Sequence, residues 1–214
     1  MAVYAGTPRP QVIDPMKFKE VFWPEVRFFD KQREIIYSVL ENDVTLVPAG
    51  NMLGKDFVSG FIALWFFLSR HPCRIVTTSA DATQLAGVLW GEIRRFIQTS
   101  KYPLEAPKGP LLVNHLHIRK HIDLRICGLS YILGRVSAKG EGLLGHHIAD
   151  IGDGIPRTLF MADEASGVHD LGWERSDTWA KRKLAIGNCY SGTPGCTFFK
   201  KECQKGNILA PEGR

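Results

Sequence analysis

A chain of 214 residues, 44% hydrophobic and 23% charged, is long enough for one α/β domain with a substantial core and too apolar to be disordered. Formal charge of +5 and a pI near 9.0 permit a polyanionic partner without requiring one. Five cysteines, an odd number with no C-x-x-C pair, exclude a disulfide scaffold and fit free thiols in a reducing compartment.

Met1 to Pro24 carries prolines at positions 8, 10, 15 and 24 and reads as an irregular surface arm, with no charged-then-apolar signal segment. From Asp30, a candidate N-cap, the stripe Ile35, Ile36, Val39 and Leu40 predicts a helix. Phe28-Phe29 and Gln32 have two readings, an ordinary amphipathic helix or a purine site with a stacking aromatic and an adenine-reading amide.

Val44 to Val47 is an apolar, β-branched run that breaks at Pro48 and enters the loop Ala49-Gly-Asn-Met-Leu-Gly-Lys-Asp56. The segment Phe57 to Leu68 follows; it is too short for a membrane span and reads as a helix buried on nearly all sides. Strand, glycine-bearing loop, lysine and helix is the order of a phosphate-binding loop. Backbone N–H groups and the helix start would cradle a polyphosphate, with Lys55 reaching the β- and γ-phosphates. Against G-x-x-x-x-G-K-[ST], Ala49 stands at the first glycine and Asp56 at the Mg²⁺-ligating hydroxyl. A carboxylate can also bind Mg²⁺. A plain strand-to-helix turn with a solvated lysine suits the same residues.

Arg74 to Ser79 predicts a second strand, and Asp81 caps a helix through about Gln98 with Leu85, Val88, Leu89, Ile93 and Ile97 on one side. Leu112 to Ile118 and Ile122 to Cys127 read as an adjacent strand pair, and Gly134 to Gly145 (GRVSAKGEGLLG) as a mobile basic loop. His115 and His117 would set two imidazoles on one face of a strand, with His121 following, but no acidic or thiolate third ligand stands near for a metal site. Between Arg94 and His147, nine Lys/Arg face three acids, either a solvated face or a polyanion grip. Arg157 to Asp163-Glu164 is an apolar strand that emits two acids where open α/β sheets bind ligands. The first acid can hold Mg²⁺ and the second can activate water. Lys183 to Ile186 forms another strand and ends in Gly187-Asn188, and Phe198 and Phe199 anchor a last helical piece.

With IVTTSADATQLAGVLWGEIRRF, LFMADEASG and LAIGNCYSGTPGCTFFK in this order, the sequence resembles the ATPase motor domain of the tailed-phage large terminase subunit. The resemblance runs from about Phe28 to Phe199. It implies a three-layer α/β/α P-loop NTPase of the helicase/terminase-like ASCE class, with a mainly parallel central sheet and an extra strand between those bearing Lys55 and Asp163. The implied organisation is an arm (1–27), the ATPase domain (28–205) and a tail or linker (206–214), without the family's nuclease.

By resemblance, ATP is bound by Gln32, Ala49, Gly50, Asn51, Met52, Leu53, Gly54, Lys55, Asp56 and Phe57. Mg²⁺ is held by Asp163 and Asp56, Glu164 is the catalytic base, and Gly187-Asn188 couples phosphate loss to motion. Arg135, with Lys139 as competitor, is the expected catalytic arginine. The implied partners are double-stranded DNA, a small terminase subunit, a portal protein and further copies in a ring. The implied setting is the cytoplasm of an infected bacterium, with no membrane. Other helicase-like ATPases, or a non-hydrolysing nucleotide- or DNA-binding module, share parts of the pattern.

Overall fold

The computed structural model describes residues 12–50, 54–114, 122–136, 142–189 and 194–205. Its centre is a seven-stranded sheet in the order β1-β7-β6-β2-β5-β4-β3. The strands are β1 (Val44–Pro48), β2 (Arg74–Thr78), β3 (Leu112–Asn114), β4 (Ile122–Cys127), β5 (Ser130–Gly134), β6 (Thr158–Asp163) and β7 (Arg182–Gly187). From β1 through β5 the pairing is parallel, and β4 and β3 extend the edge antiparallel. The mainly parallel α/β/α architecture is therefore as predicted, and β7 is the strand between β1 and β6.

Parallel central strands are covered on both faces and read as unbroken apolar runs rather than alternations. In β6 all six residues are buried. Its alternate side chains divide between two cores. Leu159 and Met161 join the larger one, with α1 (Pro15–Phe22), α2 (Asp30–Glu41), α3 (Lys55–Leu68) and the helix ending at Thr99. Phe160 and Ala162 join the smaller one, with α6 (Asp170–Asp177) and α7 (Phe198–Gln204). Helix α3 is buried from Val58 to Phe67, which explains why its sequence is apolar on every side.

Three expectations are corrected, and two elements lie where none was expected. The arm through Pro24 is not irregular throughout. Asp14 accepts from Met16 N and Lys17 N and, with Pro15 at the first turn, opens α1. Phe18 and Trp23 then pack into the core. The helix after Asp81 is not uniform, because α4 (Ala82–Gln84) passes through a π-helical turn (Leu85–Leu89) into α5 (Trp90–Thr99). The wider turn shifts the phase, so Val88, expected on the apolar stripe, is 42% exposed. β5 and α6 carry too little periodicity to be seen, and both went unpredicted. Asp30 is the first residue of α2 rather than its cap, and Gln32 Oε1 accepts from Phe29 N instead. No helix among the described residues is long and apolar enough to cross a membrane.

Candidate functional site

The carboxyl ends of β1, β7 and β6 form one edge. Chain leaving β1 passes Ala49 and Gly50 and re-enters at Gly54, the residue before α3. Gly54 has φ +67°, a left-handed conformation that favours glycine. Among the described residues, none beyond its chain neighbours comes within 4 Å of where a Gly50 side chain would begin. Lys55 starts α3 and is 7% exposed. The helix-start N–H groups and the buried ammonium put donors and positive charge at this tip of α3. Asn51, Met52 and Leu53 lie outside the described residues.

Opposite this tip, β6 delivers Asp163 and Glu164. Lys55 Nζ donates to Glu164 Oε1 in an ion pair that ties the start of α3, which follows β1, to the end of β6, with β7 lying between those two strands. The carboxyl of Asp56, in the first turn of α3, lies within hydrogen-bond reach of Asp163. Burial, and next the Asp56 carboxyl, push Asp163 up to about 7. Burial also raises Asp56, against the pull of the Lys55 ammonium. Two adjacent carboxyls shielded from water cannot both ionise without a compensating cation. Oδ1 of each has no hydrogen-bond partner. These residues fit a divalent cation such as Mg²⁺, which takes one or two carboxylates and completes its shell with phosphate and water oxygens.

Backbone packing fixes the acids. Glu164 has φ 46°, the only positive φ on a non-glycine residue among those described, a conformation that costs about 1–3 kcal/mol. A Cβ on Gly187 would lie 2.8 Å from Ala165 N and 3.4 Å from Glu164 Cα. The Gly187 carbonyl accepts from Ala49 N at 2.9 Å. Gly187 thus touches both the loop that leaves β1 and the Glu164 turn. Gly167, which the sequence did not single out, leaves no room for a side chain either, since a Cβ there would meet Ala80 Cβ at 2.4 Å. That contact binds the loop after β2 to the loop after β6, and only tertiary packing reveals it.

The structure brings together Lys55, Asp56, Asp163, Glu164 and Gly187, with Asn188 following, half-buried. Gln32 is buried, and its Nε2 lies 2.9 Å from where a Gly54 Cβ would be. Its carbonyl is engaged by Phe29 N, while the Phe29 ring beside it is 77% exposed. The Phe57 side chain turns away from the loop and packs on Phe28 and Phe96, with Arg95 over its ring. Arg135 is not part of the cluster: it leaves β5, with β2 between it and β6, and Nη1 donates to Gly142 O. Lys139, His115, His117 and His121 lie outside the described residues. Among the described residues, no three His, Cys, Asp or Glu side chains are grouped as a metal site.

No family model matches the sequence, and no curated protein matches it. Solved structures do match by fold. The large terminase of a thermophilic bacteriophage, in complex with ADP, superposes with a TM-score of 0.53 at 11% identity, over 76% of this chain and 39% of that one. The same terminase with ATP-γ-S gives 0.50 at 11% identity, over 76% and 38%. The large terminase ATPase domain of Thermus phage P74-26 gives 0.52 at 13% identity, over 85% of this chain and 70% of that one. This chain therefore spans about two fifths of the length of the first of these terminases. With its strand order and paired loops, the chain has the fold of the P-loop ATPase domain of phage large terminases.

Proposed function

We propose that this chain is an ATP-hydrolysing motor domain that drives double-stranded DNA into a phage prohead as part of a large terminase. The observation that carries the reading is the Lys55–Glu164 ion pair. It sets a helix-tip lysine against a strand-end acid across one intervening strand, with Asp56 and Asp163 beside it.

In the resting site Lys55 neutralises Glu164. An arriving triphosphate offers the ammonium a denser negative charge, cradled by the Ala49–Gly54 backbone and the start of α3. Lys55 exchanges partners, and the freed Glu164 carboxylate becomes the base that orients water for in-line attack on the γ-phosphorus. Asp163 and Asp56 would hold Mg²⁺, which when bound neutralises charge on the β- and γ-phosphate oxygens. Gln32, which packs against Gly54, and the exposed Phe29 ring would receive the base. Gly187 transmits the change, because movement of Glu164 presses on β7 and on the Ala49 N–H. Phosphoryl transfer in this chemistry also calls for an arginine. Arg135 sits away from the acids, which suits a residue acting on the site of a neighbouring copy in a ring.

The two phage proteins that share the fold are terminases by name. The net charge of +5 suits contact with a DNA backbone, which is sequence-independent and weakens with salt. A portal, a small terminase subunit and the cytoplasm of an infected bacterium follow from the same reading. The test is ATP turnover by the protein with and without double-stranded DNA. DNA-stimulated hydrolysis that vanishes in Lys55→Ala supports the motor. Hydrolysis indifferent to DNA under all salt conditions points to a different P-loop ATPase, and nucleotide binding without turnover points to a non-hydrolysing module.

A further inference from the structure

Besides the Oδ1 atoms of Asp56 and Asp163, one more buried oxygen at this edge, Oγ of Ser79, has no hydrogen-bond partner among the described residues. Ser79 is 3% exposed, and it is the residue that follows β2. β2 and β6 run parallel with Thr78 opposite Ala162, so the next pair in register is Ser79 with Asp163. Side-chain alternation gives its face. Ile75 shares the larger core with Leu159, and Thr77 accepts from Trp90 Nε1 on that same side. Ser79 therefore lies on the α3 side of the sheet, as Asp163 does. The turn holding it is pinned by the Ala80–Gly167 contact.

We propose that the Ser79 hydroxyl is the third protein oxygen of the divalent-cation site formed by Asp56 and Asp163. It would supply from β2 the hydroxyl that the phosphate loop lacks at position 56. This assignment rests on the nucleotide-site reading above. Mg²⁺ takes oxygen ligands in near-octahedral geometry, and a phosphate loop ordinarily contributes a Ser or Thr hydroxyl to it. With a carboxylate in that place, two acids already face the phosphates. A neutral hydroxyl adds a ligand without adding repulsion. It also accounts for a buried O–H that finds no protein partner, an arrangement native structures rarely leave unexplained.

The test uses the 214-residue chain with Mn²⁺ as probe, counting free Mn²⁺ by electron paramagnetic resonance in the presence of ADP. Binding of ADP alone in EDTA and the thermal midpoint in EDTA are measured in parallel. Ser79→Ala is expected to weaken Mn²⁺ about tenfold, leave metal-free ADP binding within about twofold, and keep or raise the midpoint. Those magnitudes follow from losing one metal-directed contact. Ser79→Cys is expected to shift the ADP-dependent thermal response from Mg²⁺ toward the thiophilic Cd²⁺, which a merely structural serine would not do. Unchanged Mn²⁺ affinity in Ser79→Ala overturns the assignment. So does a loss of metal-free ADP binding as large as the loss of Mn²⁺. If the unsubstituted protein binds no nucleotide, the nucleotide reading itself fails and takes this assignment with it.

Discussion

Replacing Asp163 with Asn should stabilise the protein in the absence of nucleotide and metal. Asp163 is 4% exposed and faces Asp56, and burial with that second carboxyl pushes it up to about 7. In the unfolded chain the same carboxyl titrates near ~4. The folded state thus holds the proton more tightly, so this group favours folding below about pH 4 and the advantage is lost as pH rises through about 7. At pH 8.5 the ionised form costs about 4 kcal/mol relative to an unperturbed carboxylate. Asn keeps the shape, carries no charge and can donate to Asp56.

Allowing for partial relaxation around the site, a gain of about 2–3 kcal/mol is expected, or roughly 5–10 °C in midpoint for a domain of this size. The assay is thermal and urea unfolding in EDTA at pH 8.5 and pH 5.5. The gain should be fully present at the higher pH and about halved at the lower, where Asp163 is protonated in the folded protein but still ionised in the unfolded chain. It should also come with loss of stabilisation by Mg²⁺-nucleotide, the usual exchange of stability for function. An Asp163→Asn protein no more stable than wild type at pH 8.5 would refute the reasoning that this site is electrostatically strained.

Glu164→Gln should abolish turnover while ATP affinity stays within a few-fold, measured by single-turnover hydrolysis and fluorescent-nucleotide binding; normal turnover removes the base assignment. Gly187→Ala places a methyl 2.8 Å from Ala165 N. It should cost about 1–3 kcal/mol of stability and reduce kcat at least tenfold, more than it changes KM, and an unaltered kcat contradicts the contact's role. Thr77→Val leaves Trp90 Nε1 without the acceptor it meets at 2.9 Å, which should lower unfolding free energy by about 1–3 kcal/mol with little effect on nucleotide affinity. A neutral result in denaturant titration would mean that the indole finds another partner.

The parts of the site legible in the sequence are those encoded in contiguous residues. Val44 to Lys55 spells strand, loop and helix start, and Leu159 to Glu164 spells a buried strand ending in acids; the strand β1, the start of α3 at Lys55 and the strand β6 lie at the predicted places. An additional strand between them was expected from the separation of Lys55 and Asp163 in sequence, and β7 fills that place. Other features depend on contacts across the sheet. The left-handed Glu164 is set by packing against Gly187, and the raised Asp163 by an α3 residue far earlier in the chain. No local periodicity carries either. β5 escaped because Ser130 to Gly134 is short and ends in the glycine with which the predicted loop begins. α1 escaped because Asp14-Pro15, a good helix start, resembles a chain breaker when other prolines surround it. Arg135 was named from its glycine-bearing basic loop, and its Nη1 donates to Gly142 O.

The most direct measurement is a structure of this protein with Mg²⁺ and a non-hydrolysable ATP analogue. The account requires the γ-phosphate between Lys55 Nζ and the carboxylates of Asp163 and Glu164, with the Lys55–Glu164 ion pair opened. A nucleotide bound on another edge of the sheet, or a Lys55–Glu164 pair that stays closed with the triphosphate in place, would contradict it.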